Sequence, residues 1–241
     1  MSEAVLYSVE SGVATIRLNR PDSRNALNVA MCEGLAAAAK SASDDPAVKL
    51  VLVRANGLAF CAGADVKERQ GMTESQVRAR RQKGFDAYAA LEALPMPVVA
   101  VVEGPAVGSG CEIASACDFI VATPAASFRT PEAIRGTVGA TQRLARVLGK
   151  RLAKDMMYTG RTLTAEEALA HGLVSRLVAP EKLEEAIASI AKAIAEAPQY
   201  SLRLAKRTID RGVELDPKGA LAAEIEAIEE QLASGQWMGQ S

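Results

Sequence analysis

"VVAVVEGPAVGSGCEIASACD", residues 98–118, decides how this chain is read. Its first five residues, Val98 to Val102, are apolar and mostly β-branched, the pattern of a short buried strand. Gly, Ala and Ser then dominate until a single carboxylate, Glu112, stands among side chains small enough to lie against other backbone. Strand, glycine-bearing loop and helix start follow one another, as in α/β folds. An ionised carboxylate away from water is costly without compensation, so Glu112 needs a reason.

The same succession recurs on either side. "AVLYSVE" and "VATIRLN" alternate around Ser11-Gly12 and read as an opening hairpin. "NVAMCEGLAAAAKSASDD" (28–45) reads as a helix and "KLVLVRA" (49–55) as a buried strand, followed by the glycine-bearing loop "NGLAFCAGADVKE" (56–68). A long helix from about Thr73 to Leu94 is stopped by Pro95 and Pro97. "DFIVAT" (118–123) is another strand, and "ASFRTPEAIRGTVGATQRL" (126–144) reads as loop plus short helix. From about Arg143 the texture changes. Only "LVSRLV" (173–178) looks like strand, while 181–197, 199–213 and 219–233 carry apolar residues three and four apart, as amphipathic helices do.

Composition excludes several classes. Twenty-eight basic and 29 acidic residues leave a net charge of −1, which offers no field for nucleic acid or membrane phosphates. Cys32, Cys61, Cys111 and Cys117 lack metal-type spacing and read as small buried residues of a reduced compartment; no metal site is expected. "MSEAVLYSVESG" does not read as a targeting segment, and no apolar run is long enough to span a bilayer, so a soluble, cytoplasmic protein is expected. The single histidine, His171, reads as a helix end with Gly172 as its cap rather than as a catalyst. Arg78, Arg80, Arg81 and Lys83 read as a solvated helix face.

Strands of one layer deliver their C-terminal loops to one edge of the sheet, where α/β folds place ligands. Three loops of this chain carry unusual chemistry. Residues 60–65 offer backbone N–H groups unshielded by large side chains, and residues 108–112 put small residues at a helix start, where the dipole suits a developing oxyanion. Thr130-Pro-Glu132 presents a second carboxylate. Two N–H donors from different loops would make an oxyanion hole, and two carboxylates would share acid and base work. A blander reading stands beside this one. Ser109-Gly-Cys-Glu112 fits the S-x-x-E capping box, a pattern repeated at Thr73–Gln76 and Thr164–Glu167, and Glu132 fits an acidic first turn after Pro131.

Taken together, "VATIRLNRPDSRNALN", "LVRANGLAFCAGADVKE", "PMPVVAVVEGPAVGSGCEIASACDFIVAT", "SFRTPEAIRG", "TQRL" and "TAEEALAHGLVSRLV" resemble, in order and spacing, the crotonase family of enoyl-CoA hydratases and isomerases. The resemblance implies an α/β fold, a spiral of ββα turns over 1–195, with a C-terminal helical trimerisation region over 196–241. It further implies a homotrimer or dimer of trimers. The family's oxyanion hole falls on the backbone N–H groups of Ala64 and Ser109, and its catalytic glutamates on Glu112 and Glu132. CoA-holding positions fall on Arg24, Ala26 and Leu27 and on Ala62, Ala64, Asp65, Val66 and Lys67. The implied substrate is an acyl-CoA thioester, with no separate cofactor, and the two glutamates together favour hydration of a 2-enoyl-CoA. Isomerisation, decarboxylation or hydrolysis in the same fold, or CoA binding without catalysis, are the alternatives. Relatives that bind RNA do so through a lysine-rich helix, and the matching helix here has Lys40 as its only lysine. Three departures mark the chain: Ser109 and Arg129 stand where glycine is usual, and the loop after Glu132 is shorter than the family's. Met72, Phe85 and Tyr88 are candidates for the acyl pocket.

Overall fold

A computed structural model describes residues 3–236. Strands β1 (Val5–Glu10) and β2 (Val13–Leu18) pair antiparallel, and the two residues between them, Ser11 and Gly12, have φ of 49° and 80°. Positive φ at both turn positions gives the hairpin the twist its strands need.

From β2 onward the chain repeats one move: a strand in a large sheet, a short extended segment in a second sheet, then a helix. β2 leads to Leu27 and α1 (Val29–Asp44), and β3 (Leu50–Ala55) leads to residues 61–64 and α2 (Glu74–Glu92). β4 (Val98–Val102) leads to β5 (Pro105–Val107) and α3 (Ser109–Ser115). β6 (Phe119–Ala122) leads to β7 (Ser127–Arg129), a 3-10 turn over Ala133–Arg135, and α4 (Arg143–Thr159), which breaks at Gly149. β8 (Thr162–Thr164), α5 (Ala165–Ala170), β9 (Arg176–Leu177), α6 (Leu183–Glu196), α7 (Gln199–Gly212) and α8 (Pro217–Ala233) complete the order.

The large sheet runs β1-β2-β3-β4-β6-β9, parallel except for the first pair. Alternation along its strands divides the core. Leu50, Leu52, Val99 and Val101 face Leu183, Ile187 and Ile190 of α6, while Val51, Val53, Val98 and Ala100 face the helices opposite, Met31 and Leu35 of α1 among them. Fully burying such a side chain contributes about 1.5–3 kcal/mol, so both faces of this sheet are fixed.

Residue patterning alone does not show the second sheet, whose short strands supply the second β of the ββα turns that the resemblance implies. This sheet runs β5-β7-β8, and single bridges extend it from Ala106 to Cys61 and from Ala64 to Leu27. Three-residue strands are too short to show a period, so 126–129 read as loop. This sheet also corrects the account of how the loops meet. They do not leave the large sheet directly; segments ending at Leu27, Ala64, Val107 and Arg129 lie side by side in the second sheet and all but the first turn directly into the site.

Helix ends follow local chemistry. Thr73 and Thr164 form full capping boxes with Gln76 and Glu167. His171 ends α5, its N–H donating to Glu167 O at 3.0 Å, with Gly172 next at φ 77°. Among the described residues no helix is long and apolar enough to cross a membrane.

Candidate active site

Four backbone segments and α2 enclose a cleft of about 280 Å³. Ala64, Ser109, Glu112 and Glu132 all line it, with Leu27, Ala62, Val66, Phe85 and Tyr88. Met72, Arg24, Ala26, Asp65 and Lys67 are not in its wall.

The bridge between Leu27 and Ala64 fixes the first N–H. Leu27 N–H donates to Gly63 O at 2.8 Å and Asp65 N–H to Leu27 O at 2.9 Å, which turns the intervening Ala64 N–H to the other side, away from Leu27. No acceptor among the described residues takes the Ala64 N–H. Gly63 adopts φ +95°, and a Cβ there would meet Val107 O at 3.1 Å, so the position needs glycine. Asp65 shapes the turn from behind. Its carboxylate meets Arg20 Nη1 at 3.0 Å and accepts the Lys67 N–H at 3.0 Å. Burial alone would raise its pKa, but these partners outweigh burial and hold it below the ordinary carboxylate value. Asn25, fully buried, ties the neighbouring loop in place: its Oδ1 accepts the Arg20 N–H at 2.7 Å, and its Nδ2 donates to Asn56 O and Ala59 O, both at 2.8 Å.

The second N–H belongs to α3. Gly108 donates to Arg129 O at 2.8 Å and, at φ 50° and ψ −106°, forms the N-cap, leaving Ser109 as the first helical residue with its N–H unpartnered. A Cβ at Gly108 would collide with Glu132 Oε1, so this glycine makes room for the second carboxylate.

Glu112 does not cap α3. The helix start carries no side-chain cap, and the Glu112 carboxylate, 6% exposed, turns inward. Oε2 accepts from Arg143 Nη1 at 2.8 Å, and Oε1 is buried without a partner. Arg143 is itself gripped by Glu92 at 2.7 and 3.2 Å and lies 5.6 Å from the centre of the Tyr88 ring. Burial raises the Glu112 pKa, and the Arg143 charge opposes that rise. Glu132 is raised by burial too, with Glu112 adding to the shift, and its Oε2 is buried and unpartnered. Two carboxylates with raised pKa and one bare oxygen each therefore share a cleft with two unused N–H donors. That set matches carbonyl activation coupled to proton transfer.

The sequence profile described as Enoyl-CoA hydratase/isomerase matches residues 8–237. The chain belongs to the enoyl-CoA hydratase/isomerase family. It is 35% identical to a crotonyl-CoA hydratase of Syntrophomonas wolfei, over 94% of this chain and 88% of that one. It is 39% identical to the enoyl-CoA hydratase domain-containing protein 2 of Bos taurus, over 91% of this chain and 77% of that one. The crystal structure of enoyl-CoA hydratase from Bacillus anthracis superposes with a TM-score of 0.90 at 36% identity, covering 94% of this chain and 90% of that one. The α/β spiral is thus that of crotonase structures.

Two departures from the family pattern now have a physical reading. Arg129 turns away from the cleft and donates from Nε to Gly160 O at 2.6 Å, beyond the end of α4. The short loop after Glu132 keeps residues 135–140 in the cleft wall, with the Thr137 N–H donating to Glu132 O at 2.9 Å. The reading of 78–83 as a solvated face is corrected in part. Arg78, Arg81 and Lys83 are exposed, Arg81 also bonding Thr137 Oγ1 at 2.6 Å, but Arg80 is buried, 2.6 Å from Glu68 Oε2 and bonded to Leu27 O. Sequence reasoning missed Arg143, Glu92 and Asn25. The "TQRL" and "RNAL" stretches that hold two of them were noticed, but nothing local says which carboxylate an arginine 31 positions away will meet.

Proposed function

We propose that the chain hydrates a 2-enoyl-CoA thioester. The Ala64 and Ser109 N–H groups hold the thioester oxygen and stabilise the negative charge that grows on it as water adds. Losing one such donor typically costs ~10²–10³ in rate. Glu112 takes the proton of the water attacking the β-carbon, and Glu132 supplies the proton to the α-carbon. The Arg143 charge opposes the rise that burial imposes on the Glu112 pKa and so favours its basic form. The observation that carries this reading is the pairing in one cleft of two unused N–H groups with two carboxylates that each hold a buried oxygen without a partner.

CoA enters along Ala62–Lys67 and the Arg24–Leu27 segment, and no further cofactor takes part. A homotrimer or dimer of trimers in the cytoplasm is proposed as well, with 1–195 as core and 196–241 as the assembling region. In support, α7 and α8 leave Ile209, Val213, Leu221 and Ile225 more than half exposed. The test is loss of the conjugated-thioester absorbance across short and medium 2-enoyl-CoA substrates. Turnover is expected for at least one chain length; none at any length contradicts the reading.

A further inference from the structure

Beyond the reacting groups, the cleft is walled by cations. Arg69, Arg80, Arg81 and Arg135 line it, and the carboxylates among its lining residues are Glu112 and Glu132. Glu112 is balanced by Arg143, and Arg80 is engaged by Glu68, so neither bears on the rest. Arg81 gives Nη2 to a neutral hydroxyl, Thr137, while Arg69 and Arg135 make no ion pair or side-chain hydrogen bond among the described residues.

Their position says what they would meet. Arg135 lies in the turn begun by Glu132, close enough for its charge to oppose the raised pKa of that carboxyl. Thr137, which anchors Arg81, is bonded to Glu132 O in the same turn. Arg135 and Arg81 are thus tied to the turn that carries Glu132, the carboxylate proposed to reach the α-carbon, and Arg69 lines the same cleft just after the 62–67 segment. Val66, Phe85 and Val138 supply the apolar wall around them. A plain hydrocarbon tail would displace water from guanidinium groups and give nothing back, whereas a carboxylate accepts two parallel N–H bonds from one.

We propose that the acyl group received here carries a carboxylate beyond its β-carbon, bound by Arg81 and Arg135 with Arg69 completing the anion site. This rests on the reading of the cleft as an acyl-CoA site, but not on hydration as its reaction. The test is accordingly equilibrium binding, by calorimetry on the full chain, of glutaryl- and adipyl-CoA against the neutral pentanoyl- and hexanoyl-CoA of equal length. At least one acid should bind about tenfold or more tightly than its neutral partner, and Arg135→Gln and Arg81→Gln should each cut that ratio severalfold. Equal affinity for acid and neutral ligand overturns the proposal. So does an equal loss for both ligands in the variants, which would place the arginines on the CoA phosphates instead. A parallel hydration assay with glutaconyl-CoA reports on the reaction: failure there with selective binding intact would fault the hydratase reading and leave the anion site standing.

Discussion

Two helix starts in this protein carry the same four-residue pattern and do opposite things. At Thr164-Ala-Glu-Glu167 the threonine is the N-cap, the Glu167 carboxylate returns to the Thr164 N–H at 2.9 Å, and its pKa falls, the Thr164 bond first among the causes. At Ser109-Gly-Cys-Glu112 the cap has moved one residue earlier, to Gly108. Ser109 becomes the first helical residue, its N–H is freed, and Glu112 sits one place too deep to reach back. Burial then raises its pKa instead. The difference lies in the residue that caps each helix: Thr164 ends β8 in extended conformation, whereas Gly108 takes a positive φ that other residues adopt only at a cost. One glycine converts a capping motif into one with a free N–H and an inward carboxylate.

The contrast breaks most sharply at the two glutamates. Glu112→Gln retains size and hydrogen-bonding capacity but cannot act as a base, so hydration should fall by ~10²–10⁴. Glu167→Gln, still a capping residue, should leave the rate within about twofold of wild type, because glutamine serves at that box position. A Glu112→Gln enzyme with full activity would return Glu112 to a structural role.

Gly108→Ala tests the origin of the difference. A methyl there collides with Glu132 and opposes the positive φ, so kcat should drop ~10²-fold through a displaced oxyanion donor. Melting should register a stability loss of about 1–2 kcal/mol from the same strain.

Arg143→Gln sharpens the electrostatic half. With the guanidinium gone, burial acts on Glu112 unopposed and its pKa rises further, so the base is ionised only at higher pH. The acidic limb of the kcat profile should move upward in pH, with Arg143→Lys restoring part of the shift. A lower rate with an unmoved limb would make Arg143 a packing residue.

The smallest effect belongs to the ordinary helix start. Thr164→Ala should lower stability by about 1 kcal/mol, read from denaturant midpoints, with no change in rate.

Much of this was legible in the sequence because it is local. The large sheet appears as runs such as Val98–Val102, and α2 is bounded by its Thr73 box and by Pro95. Glu112 stood out because Gly, Ala and Ser surround it, and Glu132 because it follows Thr130-Pro131 in a loop of its own. The second sheet was hidden, since Pro105–Val107 and Ser127–Arg129 are three residues each and gain identity only by pairing. So was the brace behind Glu112, in which Glu92 and the Tyr88 ring of α2 meet Arg143 of α4. Spacing also misplaced a cap by one residue, because the conformation of Gly108 depends on contacts with Arg129 and Glu132 that no four-residue pattern encodes.

The most direct test is a crystal structure with an unreactive acyl-CoA bound. The account predicts the thioester oxygen about 2.7–3.1 Å from both the Ala64 and Ser109 nitrogens, with the α- and β-carbons between Glu112 and Glu132. An oxygen held by only one of those nitrogens, or an acyl chain lying outside the two carboxylates, would contradict it.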